Sequence, residues 1–225
     1  MEKSQVGVSH YLSGIFLKDR AVSKSVFNLV IGLVLMWGFT TNYLTVVHFP
    51  TEWINSVNPW VILIGFLIFS TLGFLIMFRY RAPLFSFLGY NLVTLSVGLL
   101  LKLCLQYFTD SEIVTAIQYT AGITLLMIIS ATLMPKLFMS FGKVLVVITG
   151  WILTIELSWL LMFGHSHELI HWIVAVSMCG YIGYFWAQAC KYGETLDEAI
   201  DFGGLLYMEI INLFLRLLEI LSSKR

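Results

Sequence analysis

Tyr207-Met208-Glu209-Ile210-Ile211-Asn212-Leu213-Phe214-Leu215-Arg216-Leu217-Leu218-Glu219 is the stretch on which the fold turns. It is apolar almost throughout, yet Glu209, Asn212, Arg216 and Glu219 recur at steps of 3, 4 and 3. At 3.6 residues per turn that spacing places the four polar side chains on one face of a helix. A carboxylate inside an apolar segment is costly, so by default it marks a pathway, a sensor or a buried ion pair.

The rest of the chain supplies the setting. It has 225 residues, 59% hydrophobic and 12% charged, with a mean hydropathy of +0.88. Soluble domains carry about 25% charged residues, so this is an integral membrane protein. A crossing needs about 20 apolar residues, and the apolar runs cover 26–47, 59–78, 84–108, 113–134, 144–163, 169–190 and 202–221. The expected fold is all-α and polytopic. A short cytoplasmic segment (1–25) precedes one membrane domain (26–225) of seven transmembrane helices. Pro59 and Pro83 stand where helices begin, which suits a residue without an N–H, and Pro135 stands where the fourth run stops. The net charge of zero gives no case for nucleic acid. Three cysteines without a CxxC indicate neither a disulfide framework nor a thiolate metal site.

Charge asymmetry sets the orientation. Lys3, Lys18, Arg20 and Lys24 precede the first run, Arg79 and Arg81 follow the second, Lys136 and Lys143 follow the fourth, and Lys191 follows the sixth. The alternate loops, 48–58, 109–112 and 164–168, contain no Lys or Arg. The N-terminus is therefore expected in the cytoplasm. His48, His165, His167 and His171 then share the outer side with Glu52, Asp110, Glu112 and Glu168. Such a rim attracts cations until its imidazoles protonate; depletion of basic residues from translocated loops explains the same pattern. Trp53, Trp60, Trp172 and Trp186 fall near run ends, as interfacial anchors do. Gly32, Gly65, Gly73, Gly89 and Gly98 suit close helix packing.

Glu209 is the leading functional candidate, because burial in an apolar bundle favours its neutral form and ionisation would place a charge there. The competing reading is a permanent ion pair with Arg216, or with Arg79 or Arg81 acting as a latch. Asn212 reads as an interhelical hydrogen-bond bridge. Glu156 and Lys102 can pair across helices, and Gln118 can complete a polar track with Glu156 and Glu209. His167-Glu168-Leu169-Ile170-His171 fits H-E-x-x-H, in which two histidines hold zinc and the glutamate is the base. His165 lies close by, but no third-ligand motif follows. A solvated helix start is the plainer reading.

Residues 206–218 resemble the closing helix of the Bax inhibitor-1 family, typically Leu-Tyr-Leu-Asp-Ile-Ile-Asn-Leu-Phe-Leu. The matching run is Leu206-Tyr207-Met208-Glu209-Ile210-Ile211-Asn212-Leu213-Phe214-Leu215. Gly98, Tyr184, Gln188 and the acidic linker Glu194-Thr195-Leu196-Asp197-Glu198 add support. The resemblance implies seven helices with the last surrounded by the other six. It also implies a pH-sensitive calcium leak, in a bacterial plasma membrane or, for a eukaryotic or viral chain, an ER- or Golgi-type membrane. Some bacterial members instead restrain a membrane-anchored protease. In the family an acid on helix six faces the one on helix seven. Glu209 matches the second, but the first falls on Phe185, within Tyr184-Phe185-Trp186-Ala187-Gln188. A lone glutamate cannot share a proton as a carboxylate pair does, which marks a divergent member.

Three readings follow. The first is a pH-modulated cation leak, with Ca²⁺ as the expected permeant ion, oxygen ligands from Glu209, Glu156, Gln118 and Asn212, and no cofactor. The second is a non-conducting protein that binds a membrane protease or another membrane partner. The third is a zinc hydrolase using His167, Glu168 and His171. The orientation has its own test. A reporter fused after Arg81, Lys143 or Lys191 is expected in the cytoplasm, and one near Glu52 or Asp110 outside; an external signal at Arg81 overturns the assignment.

Overall fold

A computed structural model describes residues 21–163 and 168–223. They are helical throughout, with no strand among them beyond an isolated bridge between Ala21 and Thr195. The helices are α1 (Lys24–His48), α2 (Thr51–Ser56), α3 (Pro59–Arg79), α4 (Pro83–Leu105), α5 (Asp110–Leu133), α6 (Pro135–Ser140), α7 (Gly142–Phe163), α8 (Glu168–Tyr192) and α9 (Leu196–Ser222). The seven long ones coincide with the seven apolar runs. Pro59, Pro83 and Pro135 each open a helix. Asn58 caps α3 by accepting from the Trp60 amide at 2.9 Å, and Glu112 closes a capping box at α5 by accepting from the Thr109 amide at 2.8 Å.

Two expectations need correction. Helices α2 and α6 are single turns and a half, too short for any periodicity to announce them. The last helix begins at Leu196 rather than 202, because Asp197 and Glu198 form its first turn, where acids complement the exposed amides. Among the described residues, α1, α3, α4, α5 and Leu169–Tyr192 of α8 are long and apolar enough to cross a membrane. Large apolar side chains face outward along them, among them Met36, Leu67, Leu125 and Val176. That inversion of soluble-protein burial is what a lipid solvent permits. Helix α9 differs: Leu206, Tyr207, Leu213 and Leu218 are fully buried, and it carries more charged residues than any other long helix.

The chain divides into two compact units. One runs up to Gln106 and includes Gly193–Gly204; the other comprises Tyr107–Tyr192 and continues from Leu205. In the first, α3 and α4 meet backbone to backbone. A Cβ on Gly73 would lie 2.6 Å from the Gly89 carbonyl oxygen, and one on Gly89 would lie 2.5 Å from that of Gly73. Gly98 of α4 makes room for the Thr45 side chain of α1, whose Cβ would lie 2.9 Å from an added Cβ. Gly32 and Gly65 have nothing within 4 Å, so they are not packing glycines. Buried polar groups are tied across the unit. Tyr90 donates to the Val34 carbonyl at 2.8 Å, Ser86 to Asp197 at 2.7 Å, and the Ser70 and Ser96 hydroxyls meet at 3.0 Å. Lys102 donates to the Val46 carbonyl at 2.7 Å.

In the second unit Ala131, Phe138 and Ala187 form a small core flanked by Met127, Met139 and Trp186. Trp186 donates to Thr132 Oγ1 at 2.8 Å, so it joins α8 to α5, whereas Trp53, Trp60 and Trp172 stay exposed as anchors would. The glycine contrast is testable by thermal denaturation in detergent. Gly73→Ala should destabilise by about 1–3 kcal/mol, while Gly32→Ala should be neutral or stabilising by up to about 1 kcal/mol. Equal melting temperatures for the two variants would disprove the close α3–α4 approach.

Candidate functional site

Three helices of the second unit each contribute one stripe to a shared cavity of about 370 Å³. Helix α7 brings Thr149, Ile152 and Glu156, and α8 brings Val174, Ser177, Met178 and Tyr181. Helix α9 brings Glu209, Asn212 and Arg216. Every stripe follows the spacing of three, four and seven that defines one helical face. Thus four of the five pathway candidates, Glu156, Glu209, Asn212 and Arg216, line one space. Gln118 does not: it is exposed on α5.

The charges in this unit are organised by Arg216. Its Nη1 lies 2.8 Å from Glu156 Oε1, and its Nη2 donates to Glu156 Oε2 at 2.9 Å. This is the parallel fork that makes Arg–carboxylate pairs strong and directional. Nη1 also donates to Glu219 Oε2 at 3.0 Å, one turn further along α9. His171 of α8 closes the group from the other side, its Nδ1 2.8 Å from the same Glu219 oxygen. Arg216 Nη1 lies 3.1 Å from that ring nitrogen. One nitrogen cannot donate to the carboxylate and accept from the guanidinium at once. Nδ1 thus donates to Glu219 in one tautomer and accepts from Arg216 in the other.

Glu209 and Thr149 stand apart from this cluster. Glu209 Oε2 and Thr149 Oγ1 are buried without a hydrogen-bond partner among the described residues. The alternative in which Glu209 pairs permanently with Arg216 does not hold, because Arg216 is held by Glu156 and Glu219. Arg79 and Arg81, the latch candidates, are exposed at the α3–α4 link. Asn212 makes no side-chain hydrogen bond among the described residues, so it is a wall residue and not the expected bridge. Glu156 and Lys102, expected to pair with each other, have Arg216 and the Val46 carbonyl instead. Arginine is the better partner, since its planar fork engages both carboxylate oxygens and a lysine ammonium does not.

Two sequence expectations meet the structure at α8. Phe185 stacks on Tyr181 with ring centroids 5.7 Å apart. It therefore sits one turn from the cavity wall, and it supplies no acid there. Gln188 donates to the Tyr184 hydroxyl at 2.8 Å. The H-E-x-x-H run is only partly visible, because His165 and His167 lie outside the described residues. His171 is buried and engaged with Glu219, so it does not belong to an exposed rim. No three His, Cys, Asp or Glu side chains are gathered for a metal among the described residues.

Sequence reasoning missed His171 as a partner of the closing helix, and it missed the wall residues Thr149, Ser177 and Tyr181. The signal for the latter was present: Ser177 and Tyr181 are the polar members of one α8 face. The Arg216–Glu156 pair can be checked by a double-mutant cycle on stability. Glu156→Gln and Arg216→Gln should couple by about 1–3 kcal/mol; additive effects would mean the fork contributes nothing.

A family model described as Bax1-I, Inhibitor of apoptosis-promoting Bax1, matches residues 19–225. No curated protein matches the chain.

Proposed function

The chain belongs to the Bax inhibitor-1 family, and from that premise we propose that it is a multi-pass membrane protein passing cations, with Ca²⁺ as the permeant ion, through the α7–α8–α9 cavity under the control of pH. The observation that carries this reading is the pair of buried, unpartnered oxygens, Glu209 Oε2 and Thr149 Oγ1, in a cavity walled also by Glu156 and Asn212. Hard cations take oxygen ligands, and an ionisable residue inside a membrane bundle is by default functional. Glu209 is the proton-responsive group; the titratable and charged side chains sharing its cavity are Glu156 and Arg216, with Tyr181 on α8. The reading includes seven crossings with the last helix enclosed by the other six, a cytoplasmic N-terminus and a bacterial plasma membrane.

Phe185 favours a second reading. Where the resemblance implies a second carboxylate, this chain has a ring stacked on Tyr181. A member without the pair suits a non-conducting protein that binds a membrane protease or another membrane partner.

Calcium flux into liposomes containing the purified protein, measured at two pH values, separates the two. The first reading expects flux above protein-free liposomes that changes with pH, and a folded Glu209→Gln variant whose flux no longer does. An identical pH response in Glu209→Gln would place the sensor elsewhere. Absence of flux from the folded wild-type protein would leave the second reading.

A further inference from the structure

We propose that Arg216 is a tethered blocking cation: its guanidinium occupies the carboxylate oxygens of Glu156 that a permeating cation would use, and passage requires it to let go. This rests on the cavity being the cation path.

The geometry has three parts. First, Arg216 is a wall residue of the cavity and not a peripheral one, and the oxygens it takes are those of the wall residue Glu156. Second, it is held in place. Glu219 anchors Nη1 at 3.0 Å, and His171 fixes Glu219 at 2.8 Å from the opposite side. The block is thus a three-helix assembly, with Glu156 on α7, His171 on α8, and Arg216 and Glu219 on α9. From α5, Glu112 is occupied in its own cap and Asp110 is exposed, so neither competes for the guanidinium. Third, the remaining acid of the wall, Glu209, lies seven residues before Arg216 on the same face. That is about 10 Å along the helix axis. Because Glu156 and Glu219 match the guanidinium charge, Arg216 acts less through its field at Glu209 than by withholding the Glu156 oxygens that Glu209 would otherwise share in holding a cation. The chain therefore carries inside its cavity a cation of the same charge sign and the same ligand preference as the ion it would pass.

An arginine that merely ties helices together would also destabilise the protein on removal, so stability does not test the idea. Calcium flux and guanidinium rescue in proteoliposomes do. Wild type, Arg216→Ala and Arg216→Lys are compared, each verified as folded before reconstitution. Arg216→Ala should conduct roughly tenfold faster than wild type. Millimolar methylguanidinium should return that variant towards the wild-type rate while leaving the wild type unaffected. Arg216→Lys should fall between the two, because an ammonium cannot fork onto both oxygens of Glu156. A slowly conducting wild type beside a fast, methylguanidinium-sensitive Arg216→Ala supports the proposal.

Three results overturn the proposal. One is an Arg216→Ala rate equal to that of a conducting wild type, which leaves the cation-leak reading intact. Another is a raised rate that methylguanidinium does not lower, which marks general loosening. The third is no flux from any folded variant, which removes the cation-leak reading as well. If Arg216→Ala does not fold, the Arg216→Lys rate decides: no increase over wild type rejects the block.

Discussion

The fork from Arg216 to Glu156 is the interaction on which the second unit's polar interior depends. A guanidinium between apolar helices is tolerable only when its charge is matched and its donors are directed. Here Glu156 takes both faces of the fork and Glu219 takes a further donor. Such a pair adds little net stability over an apolar replacement of equal volume. Removing one partner is a different matter, since it strands the other charge. What the pair confers is placement. It fixes the rotation of α7 and α9, so that Thr149, Ile152 and Glu156 face Glu209, Asn212 and Arg216 across one space. His171 extends the same constraint to α8 through Glu219.

The first unit solves its packing differently. Lipid chains are as apolar as leucine, so helices gain little from burying apolar side chains against each other. Close backbone approach and hydrogen bonds carry the association instead. Gly73 and Gly89 let α3 and α4 touch at the carbonyl level, Ser70 and Ser96 bond across that contact, and Tyr90 ties α4 to α1. The two units thus display the two available devices, small residues in one and a matched charge cluster in the other.

Helix positions were legible in the sequence because about 20 apolar residues per crossing is a strong, local signal. Prolines at helix starts were equally local. The one-face spacing of Glu209, Asn212, Arg216 and Glu219 was legible too, and three of these residues do share a cavity wall. Pairing was not legible. Opposite charge alone suggests Glu156 with Lys102, and charge does not determine which helices are neighbours or how they rotate. His171 was read within a local motif, H-E-x-x-H, whereas its partner Glu219 is 48 positions away in sequence. Gln118 was placed on the track by chemistry alone, and the rotation of α5 turns it outward. Gly32 and Gly65 failed in the same way: a glycine permits close packing but does not say which helix face meets another.

Phe185 determines which acids the cavity wall has. A pair of acids at close range responds to protons as a unit, because both cannot stay ionised cheaply. In this chain position 185 is a ring stacked beside the cavity-lining Tyr181, and Glu209 has no carboxylate supplied from there. The second carboxylate of the wall is Glu156, on α7, and it is neutralised by an arginine rather than by a shared proton. The electrostatic state of the cavity therefore depends on two separate elements, an unpartnered acid and a guanidinium-held one. An arginine stays charged across the physiological range, so direct titration of the arginine does not release the second element. With Phe at position 185, the charged groups left on the cavity wall are Glu209, Glu156 and Arg216, and the closing helix places Arg216 on the same face as Glu209.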